Sequence, residues 1–193
     1  MPNAEFEKHA PAVKEMIERV IELTRSYTIW WQLVEQSNFE RFSQVIDNYR
    51  DFFEATTHSL FQGFTVITYQ LFDKRKGTTS LQSLVKALAL ADAVLAKKLQ
   101  TAIDEKLPLL QKVYSIRCNV YAHRNKSQPP EVLFEEIKLL SEQMREILDL
   151  ARDLVSTLSE TAGNETKIAI EEEIKLREDC SKDDTRRIIE ALN

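Results

Sequence analysis

Residues 133–158, LFEEIKLLSEQMREILDLARDLVSTL, carry the most regular apolar pattern in the chain. The spacing between the apolar positions alternates between four and three residues, at Leu133, Ile137, Leu140, Met144, Ile147, Ala151, Leu154 and Leu158. Such a seam lies on one side of an α-helix and packs against a neighbouring helix along its whole length. The pattern therefore predicts one long helix from Pro130, which suits a first helical turn, to Leu158.

The composition extends this prediction to the rest of the chain. Only 3 glycines and 5 prolines occur among 193 residues, too few for the turns of an α/β or all-β protein of this size. Good helix formers dominate instead. We predict an all-α fold, a bundle of about four to five long helices with a C-terminal helical arm.

Upstream helices follow from the same periodicity and from capping signals. Pro108 should kink or split the last of them, because proline lacks an amide hydrogen and clashes with the preceding turn. Trp30 and Trp31, near the end of the first helix, look exposed. The predicted helices run from about Pro11 to Gln36, from a capping box at Ser37–Glu40 to near Phe72, from Ser80 through Leu88, and from about Asp92 to Tyr121.

Gly163 and Asn164 mark a break after the regular helix. We therefore predict a helical bundle over residues 1–162 and a charged helical tail over residues 163–193. A second possible capping box lies within the tail at Ser181–Asp184. Three interpretations of the tail stay open: docking on the bundle, docking on a partner, or a solvated helix that frays.

Charge and cysteine content exclude several classes of protein. A net charge of −5 disfavours a general nucleic-acid-coating surface. Cys118 and Cys180 fit neither a disulfide scaffold nor a zinc motif, and they suit free thiols in a reducing cytoplasm. The start of the chain lacks a signal pattern and no segment is apolar enough to span a membrane. We expect a cytoplasmic protein without a metal or cofactor.

Two stretches without acidic residues interrupt this acidic chain. We expect a positive surface suited to phosphate oxygens if the fold brings them together. One stretch spans residues 106–130 with Lys106, Lys112, Arg117, Arg124 and Lys126, and the other spans residues 74–91 with Lys74, Arg75, Lys76 and Lys86.

Arg117 and His123 are the residues of the first stretch that could carry chemistry. A histidine can exchange a proton with a ribose 2′-hydroxyl, and an arginine can bind a phosphate that gains charge in the transition state. An ideal helix separates the two side chains by about 120° in projection. They converge only if the helix ends or distorts near His123, or if a second subunit supplies one of them. The structural alternative is a helix-capping histidine and a surface arginine.

These residues resemble the HEPN superfamily (higher eukaryotes and prokaryotes nucleotide-binding). Its signature is an arginine followed, after four to six residues, by a histidine at a helix end. Here Asn119 lies between the two residues, in the run that closes with Ala122-His123-Arg124. Segments Tyr49–Phe53, Leu71–Asp73 and Ser80-Leu81 are similar to the abortive-infection U-type branch, so that the resemblance spans approximately residues 40–150.

The resemblance implies a homodimeric bundle in which the two Arg…His pairs face a shared cleft. It also implies metal-independent RNA cleavage in a toxin or phage-defence role, with an antitoxin protein as a possible partner. Arg117 would contact phosphate, His123 would act as general acid and base, and Asn119 would support them. The flanking Arg124 and Lys126 are candidate RNA contacts.

The sequence departs from the family at two positions. Cys118 follows the arginine where the family usually has a polar residue, and Asn125 stands where some relatives carry a modifiable tyrosine. The alternative function is a non-catalytic dimeric helical binding or scaffold protein.

Other functional patterns are weaker. Glu54 and His58 are one residue too far apart for the Glu-x-x-His pattern of a di-iron bundle. His58 is most simply a core or boundary histidine. Trp30 and Trp31 could stack on bases, although packing or a subunit interface is the simpler interpretation.

Overall fold

The computed structural model describes residues 4–122, 135, 137–163 and 167–192, and within these ranges the chain forms helices and no strand. A 3-10 turn at Glu7–His9 precedes the first α-helix, and a π-helical segment at Arg117–Ala122 follows the sixth. The α-helices are α1 (Ala10–Val34), α2 (Gln36–Asn48), α3 (Arg50–Leu71), α4 (Leu81–Ala91), α5 (Ala93–Glu105), α6 (Leu107–Ile116), α7 (Ser141–Thr161) and α8 (Lys167–Leu192). The predicted all-α bundle is confirmed.

Helix α1 lies at the centre of the bundle and packs against α3, α7 and α8. Its apolar face joins one large core with residues of the surrounding helices, among them Leu23, Phe64, Leu71, Leu88, Ile103, Ile147 and Leu158. A smaller core lies beside it and consists of Leu33, Phe42, Val45, Phe53 and Ile189. Helix α6 and the π-helical segment pack on α3, so α3 supports the region of Arg117.

The starts of the middle helices are confirmed in detail. The Ser80 hydroxyl accepts a hydrogen bond from the Ser83 amide at 3.1 Å, and the Ser83 hydroxyl accepts one from the Ser80 amide at 2.9 Å. The Asp92 carboxylate caps α5 by accepting from the Leu95 amide at 2.9 Å. Pro108 lies in the first turn of α6, where the long predicted helix is split as expected.

The helix predicted from a capping box at Ser37–Glu40 to near Phe72 is wrong in its start and in its continuity. Glu35, rather than Ser37, occupies the N-cap of α2, and its carboxylate accepts from the Asn38 amide at 3.1 Å. Tyr49, with φ −123° and ψ 37°, then separates α2 from α3. Glu35 has an extended backbone, which leaves its own side chain in the position to cap the first turn.

The prediction of an unbroken helix from Pro130 to Leu158 is also wrong. Lys138 has a left-handed backbone with φ 44°, and Leu140 is extended, so α7 begins only at Ser141. The Lys112 ammonium bridges the break by donating to the Lys138 carbonyl oxygen and to Gln143 Oε1, both at 3.0 Å. From Met144 onward the predicted seam is buried, whereas its first position, Leu133, lies outside the described residues.

The C-terminal tail forms one helix, α8, that docks on α1 and α7. Its buried positions include Ile170, Ile174 and Ile189. The capping box expected at Ser181–Asp184 is wrong, because Ser181 lies buried in the middle of this helix. The boundary between residues 162 and 163 stays a prediction.

Trp30 and Trp31 are packed rather than exposed. Both are half-buried against the large core, and the Trp30 ring centroid lies 6.0 Å from that of Phe61. Both side chains therefore contribute to the packing of the large core.

Candidate functional site around Arg117

Arg117 begins a distorted helix end. The α-helical backbone of α6 stops at Ile116, and a π-helix continues from Arg117 to Ala122. Short π-helical stretches are rare and occur frequently at functional sites. The Arg117 and His123 hypothesis requires the helix to end or distort near His123; the π-helix extends to Ala122, and residue 123 lies outside the described residues.

Tyr69 of α3 provides the surface on which the Arg117 side chain lies. The guanidinium carbon of Arg117 is 4.4 Å from the centroid of the Tyr69 ring, which is cation–π distance. The Tyr114 ring, one helical turn before Arg117, lies 5.6 Å from the same centroid. The arginine is therefore oriented by aromatic contacts.

The charge of Arg117 is not paired with a carboxylate among the described residues. Its one described hydrogen bond goes from a guanidinium nitrogen to the Cys118 sulfur at 3.9 Å, and sulfur is a weak acceptor. Asn119 lies in the same π-helical segment and is half-buried. The donor fork of Arg117 is thus available to an anion that comes from outside the chain.

Arg75 is a contrasting neighbour on the same tyrosine. Its guanidinium carbon is 5.7 Å from the Tyr69 centroid, but its nitrogens donate to the buried Asp73 carboxylate at 2.8 and 2.6 Å. These hydrogen bonds, together with a bond from the Arg75 amide and the charges of Arg75 and Arg117, lower the pKa of Asp73 below its usual value in spite of burial. Arg75 therefore forms an ion pair with Asp73, whereas Arg117 acts on Asp73 only through its charge and forms no ion pair among the described residues.

The two acid-free stretches converge only in part. Arg75 and Arg117 meet at Tyr69, as the positive-surface prediction requires. Lys106 instead donates to the Glu146 carboxylate at 2.6 Å. The Lys112 ammonium donates to the Lys138 carbonyl oxygen at the break before α7. Among the described residues, Lys106 and Lys112 therefore do not contribute free charges to the predicted positive surface.

The far end of the π-helical segment contacts the first half of α3. The Tyr121 ring packs edge-on against His58, with 5.7 Å between the ring centroids. Burial raises the pKa of Tyr121 to about 12, and its hydroxyl has no hydrogen-bond partner among the described residues. His58 itself is exposed, which excludes the core position considered for it.

His123, Arg124 and Lys126 lie outside the described residues, so their approach to Arg117 stays a prediction. Within the described part of the chain, no group of three or more His, Cys, Asp and Glu side chains could hold a metal ion. None of the helices in those ranges is long and apolar enough to cross a membrane.

A cavity of about 380 Å³ adjoins Arg117 through Tyr69 and Tyr114. It lies where the end of α3, the loop after it and the starts of α4 and α6 meet. Sequence reasoning missed this cavity, because its walls come from segments far apart in the chain. The residues that line it include Thr68, Tyr69, Phe72, Asp73, Arg75, Gln82, Leu110 and Tyr114.

The fold and this site define an all-helical protein with an arginine at a distorted helix end, and this arginine forms no ion pair within the described ranges. The family model HEPN_AbiU2, described as AbiU2, matches residues 5–175. The chain therefore belongs to the AbiU2 family of the HEPN superfamily, and the predicted family is confirmed. No curated protein and no solved structure matches the chain.

Proposed function

We propose that this protein is a metal-independent endoribonuclease that cleaves RNA with Arg117 and His123 in a toxin or phage-defence role. Membership of the AbiU2 family supports the proposal. The observation that carries it is the state of Arg117, whose guanidinium is oriented by Tyr69 at 4.4 Å and has no carboxylate partner among the described residues. An arginine in this state suits a phosphodiester.

The reaction proposed is an internal transesterification. Neutral His123 takes the proton of a ribose 2′-hydroxyl, and the resulting oxygen attacks the adjacent phosphorus. The P–O5′ bond breaks, leaving a 2′,3′-cyclic phosphate on one product. A protonated His123 from a second copy of the chain gives a proton to the departing 5′-oxygen.

Arg117 binds the non-bridging phosphate oxygens, which gain charge as the new bond forms. Asn119 supports this contact, and Arg124 and Lys126 bind neighbouring phosphates. The reaction needs no metal for its nucleophile, because the 2′-hydroxyl is already part of the substrate. A homodimer places two such sites in one cleft, and an antitoxin protein that covers the cleft would silence them.

The test is incubation of purified protein with mixed-sequence RNA in the presence of EDTA. We expect cleavage products that end in a 2′,3′-cyclic phosphate, and loss of cleavage in Arg117→Ala and His123→Ala. His9→Ala is the matched histidine control, because His9 lies in the 3-10 turn that packs on α1 and its ring contacts Phe6. Arg50→Ala is the arginine control, because Arg50 is exposed and its one ion pair in the described part of the chain is with Asp47 of the preceding helix, at 2.8 Å.

Both control variants should cleave RNA as the unmodified protein does. Equal loss of activity in the control and test variants would contradict the assigned roles. RNA binding by a stable dimer without any cleavage would instead support the alternative, a non-catalytic binding or scaffold protein.

A further inference from the structure

The cavity beside Arg117 contains polar groups that the fold leaves unused. Thr68 is 1 % exposed and Gln82 is 3 % exposed, and both line the cavity. The Thr68 hydroxyl oxygen and the Gln82 amide nitrogen are buried without a hydrogen-bond partner within the described chain. A buried polar group left in this state costs about 1–3 kcal/mol.

Other helical threonines in this protein show how easily the hydroxyl could have been satisfied. Thr24 donates to the Val20 carbonyl oxygen at 2.8 Å, and Thr65, three residues before Thr68, donates to the Gln62 carbonyl oxygen at the same distance. Thr68 makes no such bond. The Thr68 hydroxyl and the Gln82 amide are thus two unpartnered polar groups in the wall of the cavity.

The remaining walls indicate which kind of molecule fits. Tyr69, Phe72 and Tyr114 give aromatic surface and Leu110 gives aliphatic surface, which suits a flat ring system. About 380 Å³ lies within the usual range of small-ligand sites. A glutamine amide can pair with the donor and acceptor edge of a nucleobase, and adenine is its best match.

The position of the cavity beside Arg117 suits a ligand whose ring system carries a phosphate. Tyr69 and Tyr114 line the cavity, and Tyr69 also carries the guanidinium of Arg117. A molecule with its ring in the cavity can therefore place its phosphate toward Arg117, which forms no ion pair among the described residues, whereas Arg75 in the cavity wall is already paired with Asp73.

We propose that this cavity is a base subsite, in which Thr68 and Gln82 recognise the nucleobase adjacent to the phosphate that Arg117 contacts, with adenine preferred. The proposal rests on the endoribonuclease function for its RNA substrate. It makes Thr68 and Gln82 specificity residues of the site, distinct from the residues that act on the phosphate.

Calorimetric titration of the full chain with AMP, GMP, CMP, UMP, adenosine and inorganic phosphate tests the subsite without requiring cleavage. We expect AMP to bind more tightly than the other nucleotides and than phosphate. Gln82→Leu and Thr68→Val should weaken AMP binding about tenfold and leave phosphate binding unchanged. Both variants should also melt at a higher temperature, because each removes an unpartnered buried polar group.

Ser156→Ala is the matched control. The Ser156 hydroxyl is also buried without a described partner, but Ser156 lies in α7 and does not line the cavity. Its removal should change the melting temperature without changing AMP binding. Equal AMP affinity in all variants, or binding of phosphate alone, would overturn the proposal.

Sequencing of RNA cleavage products separates failure of the subsite from failure of the nuclease. Cleavage by the unmodified protein with no preference for the neighbouring base leaves the nuclease intact and overturns the subsite. Selective AMP binding that depends on Gln82, in a protein that never cleaves RNA, overturns the nuclease and supports a nucleotide-binding cavity. Loss of base preference in Gln82→Leu supports both proposals.

Discussion

The cationic side chains around Glu178 and the one at Arg117 lie in opposite electrostatic settings. Glu178 of α8 is 10 % exposed in its side chain and pairs with Arg152 at 2.7 Å, Lys182 at 2.9 Å and Arg145 at 3.2 Å. Arg117 has no such pair among the described residues, and its contacts there are an aromatic ring and a weak sulfur acceptor.

This difference distinguishes a structural charge from one that is available for binding. Burial alone raises the pKa of Glu178, but hydrogen bonds from Lys182 and Arg152 and the charges of Arg152 and Arg145 outweigh burial and lower it to about 2. The cluster joins α8 to α7 through ion pairs between its own side chains, although Arg152 Nε has no hydrogen-bond partner among the described residues. At Arg117 the described residues supply orientation by an aromatic ring without an ion pair, which leaves the guanidinium donors open to an anionic ligand.

The largest effect is expected from Arg117→Lys, which keeps the charge and removes the planar donor fork. RNA cleavage should fall about 10²–10³-fold, because a lysine cannot bind two phosphate oxygens in the same fixed geometry. Rate constants measured under single-turnover conditions would show the loss, with thermal melting as the check on folding. Arg145→Lys, in the Glu178 cluster, is the control and should cleave RNA normally.

Glu178→Ala tests how much the Glu178 cluster stabilises the fold. Glu178→Ala removes the 2.7 Å partner of the half-buried Arg152 and leaves it with Asp149 at 3.8 Å, and the free energy of unfolding should fall by about 3 kcal/mol. Urea denaturation measures the loss, and hydrogen exchange of the α8 amides shows whether this helix detaches first. Glu173→Ala removes an exposed pair with Arg177, at 2.7 Å, and should cost less than about 0.5 kcal/mol. Equal losses in the two variants would contradict a special role for Glu178.

The Glu178 cluster should also give the protein a dependence of stability on acid. The pKa of Glu178 is about 2 in the folded protein and 4.5 in the reference state, so its stabilisation is complete above pH 4.5 and is lost as the pH falls toward 2. Allowing for solvent screening at the exposed Arg145 and Lys182, we expect a loss of about 1–2 kcal/mol between pH 6 and pH 3. Glu178→Gln should flatten this part of the stability profile. A profile unchanged by the substitution would place the acid sensitivity elsewhere.

The fold could be predicted from the sequence wherever local signals and periodicity agree. Ser80 and Asp92 cap helices as their neighbours in sequence suggest, and the seam from Met144 to Leu158 is buried. The break at Lys138 could not be predicted, because a lysine with positive φ has no sequence signature. The Lys138 carbonyl oxygen accepts a hydrogen bond from Lys112, which is 26 residues away in the chain.

The candidate site, like the fold, could be predicted from the sequence only in part. Arg117 was visible in the sequence because an arginine near a histidine at a helix end has recognisable chemistry. The sequence did not point to Tyr69, Thr68 and Gln82, because nothing in their local sequence distinguishes them from other helical residues. Their place in the cavity wall depends on the packing of α3, α4 and α6. The acid-free stretch from residue 74 to residue 91 was the one sequence signal for that region, and it indicated charge rather than a cavity.

The smallest effect is expected at Cys118, the residue beside Arg117. Its sulfur accepts weakly at 3.9 Å, so Cys118→Ala should change RNA cleavage less than about twofold if Tyr69 is what orients the arginine. A hydrogen bond with Cys118 also raises the pKa of Tyr114, and the alanine variant should therefore lower that pKa in an ultraviolet titration. Cys180→Ala, at an exposed position on α8, should change neither measurement. A large loss of cleavage in Cys118→Ala alone would mean that the thiol, rather than the aromatic ring, holds the guanidinium in place.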